Sequence, residues 1–406
     1  MTGDEVEVDV GGTKRAVSAY AASATLVRSA DAGAIVGFVL LATSSPSGAS
    51  VAGILAAALT APHLAGPLVA PILDRSTRPR TVLATAFVLY ALTIGIAAVS
   101  FTRGWLALSV GALVIAGGCG PLLTGGLSSC LGVLVSDEQS RQRRAQGLDA
   151  LTYGVAATLG PVLVTLVAAT VSPMIGVLAI GGLALVAAIT LAALPPLRSP
   201  VTADEDAEAP PPVWQSISTL FTNGPLRRVT LCTSMTAIAV GAVPILAVAS
   251  STVHGFGGPG AAAMLATAFG AGTLVGSICV IARPLRGSPE RTVTRAAIGV
   301  CIGLVLCALA PTLALAALAY AITGAVGAIQ FAASLAARTE YSPPEARAQV
   351  FMTMAGLKVA CSSAGVALAG LFVSSAPLFV LVGAALIVAG AAIIAGLDRL
   401  PARASA

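Results

Sequence analysis

The chain has 406 residues, 57% of them hydrophobic and only 10% charged, with a net charge of +5. A mean hydropathy of +0.94 excludes an ordinary water-soluble fold, which needs far more polar surface. The basic residues lie in small groups between apolar runs, which excludes a nucleic-acid patch. Seven cysteines with no C-x-x-C pair and no Cys/His cluster argue against both disulfides and metal sites.

The N-terminal tail, residues 1–28, is polar and carries Asp4, Glu5, Glu7 and Asp9, so it is no signal peptide and the first apolar run stays as a span. About 20 apolar residues cross a ~30 Å hydrocarbon core. On that measure twelve runs qualify. The first six lie at 29–46, 50–73, 79–101, 105–134, 146–171 and 173–195, and the last six at 228–250, 260–283, 292–312, 313–337, 348–373 and 376–396. Between them the segment 197–227 carries Asp204, Glu205, Asp206 and Glu208 and ends, after Pro210-Pro211-Pro212, in an amphipathic stretch. It reads as a solvated linker followed by a short helix lying on the membrane surface.

Ionisable residues within a span cost at least ~2.5–3.5 kcal/mol, so the few present are candidates for function. In the first span Asp31 lies one turn from Arg28 and is either a salt-bridged edge residue or a coupling carboxylate. His63, in the second, is either a group titrating near neutral pH or a packing histidine before Pro67. In the fifth span Asp149 either pairs with Arg143 or Arg144 near the helix start or acts deeper in the membrane. Lys358 lies eleven residues past Arg347, roughly 16 Å deep by helical rise, among small neighbours that leave room for a partner or an anion. Tyr153, Tyr320 and Gln330 are further polar groups within spans five and ten, available to a bound small molecule. With ten Phe, five Tyr and two Trp in all, the cavity is expected to be poor in aromatic platforms, which argues against large planar cations.

Charge sets the topology. With the N-terminus cytoplasmic, twenty basic residues fall on inward segments, Arg103 alone falls outward, and Lys358 lies within a span. That asymmetry satisfies the positive-inside rule, supports an even number of crossings and puts both termini in the cytoplasm. Twenty Arg against two Lys, with abundant Ala, points to a bacterial plasma membrane.

The halves repeat. Arg80-Thr81-Val82 before the third span matches Arg291-Thr292-Val293 before the ninth, and Gly147-Leu148-Asp149 matches Gly356-Leu357-Lys358. Six spans plus six around a linker resemble the major facilitator superfamily over nearly the whole chain. The segment from Ala70 through Asp74, Arg75, Arg78 and Arg80 is similar to that superfamily's loop motif between spans two and three. There Ala70 and Thr77 replace the two glycines. The resemblance implies that Asp74 faces the positive N-terminus of a neighbouring helix and acts in gating. An ordinary charged loop is the alternative. Gly160-Pro161 resembles the core of an exporter motif, with Val164 and Thr165 where its paired glycines belong, and is otherwise a plain helix kink. A second Gly-Pro, Gly120-Pro121, sits in span four.

The expectation is an all-α membrane protein of twelve transmembrane helices in two six-helix bundles, 29–196 and 228–397, related by a pseudo-twofold axis, with a cytoplasmic tail at 398–406. With no nucleophile motif, metal cluster or phosphate loop, an enzyme is not expected. The resemblance implies a monomeric secondary carrier for a small molecule, using no cofactor beyond an ion gradient. Proton-coupled efflux is the first reading. Uptake of a sugar or organic anion and a non-transporting scaffold are the alternatives.

Overall fold

A computed structural model describes residues 10–44, 48–136, 138–195, 212–257 and 259–399. The acidic residues of the N-terminal tail, the acidic part of the linker, and Arg198 and Arg403 lie outside the described residues.

Eleven helices are long and apolar enough to span a bilayer, and a bent pair makes the twelfth. The described residues contain no strand, because in hydrocarbon every backbone N–H and C=O must be paired within its own segment or a closed barrel. Helix α1 is Val10–Thr43. The second span comprises α2, Gly48–Thr60, a 3-10 turn and α3, Gly66–Asp74. The third is α4, Pro79–Thr102, and the fourth begins as α5, Leu106–Pro121. It continues through a π turn, Leu122–Gly126, into the short α6, Leu127–Ser129. Helices α7, Gln139–Thr170, and α8, Pro173–Ala192, complete the first lobe.

After the surface helix α9, Val213–Thr222, the second lobe begins with α10, Gly224–Gly241, and α11, Val243–His254. It continues with α12, Pro259–Ala282, α13, Pro289–Leu309, and α14, Leu313–Tyr341. The last two helices are α15, Arg347–Phe372, and α16, Pro377–Leu397. Helices α4, α8, α12, α13 and α16 each begin on proline, where the missing N–H would be unpaired anyway. Ser172 and Thr312 add side-chain caps, accepting from the backbone N–H of Ile175 and Leu315.

Three boundaries differ from the sequence reading. Helix α1 starts at Val10 rather than 29, so Arg28 belongs to the helix and not to a tail. Helix α7 starts at Gln139 and α14 runs on to Tyr341, which brings Arg143 and Arg338 inside helices as well. The seventh span is not continuous: α10 and α11 meet at 54°. Pro244, the second residue of α11, has no N–H with which to continue the hydrogen-bond ladder of α10. The two Gly-Pro pairs behave differently. Helix α7 runs unbroken through Pro161, whereas Pro121 ends α5 and the chain enters its π turn.

The apolar interior divides as the repeat does. One cluster draws on residues from Ala16 to Leu194 with Ala348 and Met352, a second on residues from Leu220 to Ala395, and a small third one, Ala150 with Val280, Ala332, Leu335 and Phe351, joins the lobes. Leu68, Ile189, Leu371 and Leu386 are among the large apolar side chains left exposed, which suits a surface solvated by lipid. With no hydrophobic drive between helices in lipid, close backbone approach holds the seams. Gly160 lies against Ser29, where an added Cβ would come 2.1 Å from the carbonyl oxygen, and Gly272 meets the Ala321 carbonyl at 1.8 Å in the same sense. The pseudo-twofold is visible at this level. Gly147 of α7 packs on Val280 and Ile281 of α12, and its repeat mate Gly356 of α15 packs on the His63 carbonyl of the second span.

Gly160→Val is expected to push α1 from α7 and destabilise the first lobe by about 1–3 kcal/mol. A lowered melting temperature of the purified protein in detergent checks this, with Gly182→Val, which meets open space, as the control.

Candidate functional site

Arg28 of α1, only 2% exposed, anchors the first lobe. It pairs with Asp149 of α7 at 2.6 Å. The guanidinium also donates to Ser128 at 2.8 Å and to the Thr152 hydroxyl, and Tyr20 donates to the same Asp149 oxygen at 2.6 Å. Neither expected pairing forms. Asp149 points across to α1 instead of back to Arg143 or Arg144, because a carboxylate this deep needs a partner in its own layer. Arg143 instead reaches Glu340 of α14 at 2.5 Å.

An aromatic stack continues from this pair into the other lobe. The Arg28 guanidinium lies 3.7 Å from the centre of the Tyr153 ring. Tyr153 meets Phe331 of α14 edge-on, with centroids 5.0 Å apart and planes at 88°. Lys358 of α15 places its Nζ 3.6 Å from the centre of the Phe331 ring. Thus Asp149 and Lys358, at matching places in the repeat, stand at opposite ends of one stack. Among the described residues Lys358 makes no ion pair.

Beside this stack, between the lobes, lies a cavity of about 220 Å³. Tyr153, Gly154 and Ala157 of α7 form one wall. Thr233, Thr236 and Val240 of α10, Phe269 and Thr273 of α12, and Gln330, Phe331 and Lys358 form the rest. Gln330 is held by donating to the Thr236 hydroxyl at 3.1 Å. The sequence reading expected few aromatic platforms, yet Tyr153, Phe269 and Phe331 all line the cavity: a small total is concentrated here. Tyr320 is not with them. It is 1% exposed and bonded to Ser250 at 2.9 Å, tying α14 to α11 away from the lining.

Asp31 and His63 form a second centre in the first lobe. Asp31 does not pair with Arg28, whose side chain turns to Asp149. It lies 3.6 Å from Nε2 of His63 across the α1–second-span contact. The ring of His63 fills the space that Gly120 leaves, where an added Cβ would come 2.2 Å from Nε2. Gly120 is therefore a socket for the histidine, and Pro121 beside it disrupts the helix.

At the face bearing Asp74 the lobes are latched. Asp74 accepts hydrogen bonds from the backbone N–H groups of Ala348 and Gln349, at 3.0 and 3.1 Å. These are among the first turn of α15, so a carboxylate of one lobe caps the positive end of a helix in the other. Ala70, fully buried, sits one turn before Asp74. Arg80 donates to the carbonyl of Leu194 at 2.6 Å, at the end of α8, while Arg75 and Arg78 are exposed. The Arg143–Glu340 pair adds a second link between lobes on this face.

Solved structures with the same arrangement exist. The chain superposes on the human organic anion transporter MFSD10 (TETRAN) with a TM-score of 0.71 at 14% identity, covering 94% of this chain and 99% of that one. On the Escherichia coli fucose:proton symporter FucP the values are 0.72, 16%, 94% and 98%. On the proton:xylose symporter XylE they are 0.71, 13%, 95% and 95%. No curated protein matches the chain by sequence. The family model for the Major Facilitator Superfamily matches residues 21–357. The chain belongs to the Major Facilitator Superfamily. It is accordingly a multi-pass membrane transporter of that fold, not an enzyme.

Within this superfamily member the sequence reading missed Arg28 and Arg338, having placed both outside the spans. Arg338 is 1% exposed, and its Nε has no hydrogen-bond partner. A signal for Arg28 was present: the upstream run Ala16–Val27 has no charge and is rich in Ala, so the span extends back through it.

Two outcomes are expected. Asp149→Asn strands a buried guanidinium and should cost about 3–5 kcal/mol, read as loss of the folded peak in fluorescence size-exclusion after mild heating. Asp74→Asn keeps an acceptor but loses the charge at the α15 N-terminus, worth about 1 kcal/mol. Spin labels across the Asp74 face should show the separated population rising several-fold.

Proposed function

We propose that this protein is a proton-coupled secondary carrier that moves a small molecule through the cavity at Lys358 by alternating access. The observation that carries the reading is a cavity between two lobes whose Asp74 face is joined by exchangeable polar contacts beside a small apolar seam. Asp74 on the α15 amides is a buried polar contact and Arg143 on Glu340 a half-buried one, and both are discrete links that a rocking motion can exchange. The charge asymmetry supports a cytoplasmic side for that face, and the Arg- and Ala-rich composition supports a bacterial cell. The conformer described here is then closed inward, and the monomer is the working unit.

The Asp31–His63 pair is the proton-carrying element. A carboxylate and an imidazole within ion-pair reach, enclosed between two spans of one lobe, change net charge on protonation without touching the cargo. Arg28–Asp149 is a poorer candidate, since Tyr20, Ser128 and Thr152 hold both partners in place.

Export is the direction favoured by the likeness of Gly160-Pro161 to an exporter motif. Uptake is the second reading, because two of the solved structures sharing this fold are proton symporters. Proteoliposomes with an imposed pH step separate these: cargo moving against the proton flow means export, and cargo moving with it means uptake. Flux indifferent to the gradient removes proton coupling. In Asp31→Asn, cargo exchange across a membrane without a gradient is expected to persist while gradient-driven accumulation falls at least tenfold. Accumulation at the unaltered level would take Asp31 out of the coupling step.

A further inference from the structure

The transported molecule's chemical class follows from the charge left uncompensated around the cavity. Three cations lie buried or cavity-lining in the central layers: Arg28, Arg338 and Lys358. Asp149 is the one fully buried carboxylate near them, and Arg28 neutralises it at 2.6 Å. Lys358 has only aromatic faces, with Nζ 3.6 Å from the Phe331 centroid and 5.7 Å from that of Tyr153. Arg338 has no carboxylate within ion-pair distance among the described residues, and its guanidinium lies 5.7 Å from the Phe351 ring centre. It is two helical turns from Phe331 along α14, roughly 10 Å toward the Asp74 face. Among the described residues Lys358 and Arg338 thus have no carboxylate at ion-pair distance, only ring faces and the more distant, already paired Asp149, in a setting where an unpaired charge is costly.

We propose that the site takes a small organic anion, its acidic group on Lys358 and its apolar body against Tyr153, Phe269 and Phe331. This rests on the reading of the protein as a carrier and adds the cargo's class to it. A neutral sugar leaves both cations uncompensated, and an organic cation adds to them. The lining suits an apolar body: the wall is mostly aromatic and aliphatic, with hydroxyls at Thr233, Thr236, Thr273, Ser277 and Tyr153. Arg338 then serves as a second attractive charge along the inward route, exposed once the Asp74 face opens.

The test uses the full-length purified protein in detergent and a panel of monocarboxylates from acetate to naphthoate, each beside its own amide and matching primary amine. At constant ionic strength, at least one carboxylate is expected to raise the melting temperature while its amide and amine do not. Lys358→Gln should abolish that shift, and Lys358→Arg should restore part of it. If no carboxylate stabilises more than its amide, or if the shift survives in Lys358→Gln, the proposal is overturned. Should Lys358→Gln fail to fold, quenching of protein fluorescence by the best carboxylate in the unaltered chain decides. Competition by other anions and none by the amide or amine upholds the proposal, and equal competition by the amide overturns it. Flux of the same carboxylate in proteoliposomes is read separately. Binding without flux removes the carrier reading and leaves the anion site standing.

Discussion

Every charge placed within the hydrocarbon layer must be met by something, and the pairing of Arg28 with Asp149 is where the first lobe meets that demand. The pair joins α1 to α7, and its ligands Ser128 and Thr152 bring in the fourth span and fix the rotation of α7. Tyr153 is one residue beyond Thr152. The rotation that aims Asp149 at α1 therefore also sets the ring beneath the guanidinium and turns its edge to Phe331. Position of the cavity wall is thus a by-product of charge compensation one layer away.

The second lobe meets the same demand differently. In place of a carboxylate, Lys358 has the face of Phe331. The repeat has kept the backbone and exchanged the chemistry: a pair that is complete on one side corresponds to a group that is incomplete on the other. A carrier benefits from that difference. An ion pair bonded on several sides holds its geometry, whereas a cation resting on rings retains attraction for something that comes and goes.

Spans, lobes and the latch were legible in the sequence because their signals are local. Length of apolar runs, sign of loop charge and the spacing from Ala70 to Arg80 each depend on neighbours along the chain. Lys358 was legible for the same reason, since a lone charge in an apolar run stands out. Arg28, Arg338 and the true partner of Asp149 were not, because hydropathy windows trim a span at its first charge and so assign such residues to loops. The partner of Asp149 lies 121 positions away. No periodicity connects it to Arg28, and the nearer Arg143 and Arg144 offered a cheaper local answer. The bend between α10 and α11 was written in Gly241 and Pro244, but its 54° depends on how α10 sits against Ser362 of α15.

Gly147 on α7 and Gly356 on α15 give the lobes a common bearing. Each presents bare backbone to the partner lobe, one against Val280 and Ile281 and the other against the carbonyl of His63. With Ala150, Val280, Ala332, Leu335 and Phe351 packed between the lobes as well, the two glycines belong to a seam of small and apolar groups, distinct from the polar grip of Asp74 and Arg143. The lobes thus meet through two kinds of contact, directional polar ones and non-directional apolar ones, and only the first kind fixes their relative orientation sharply.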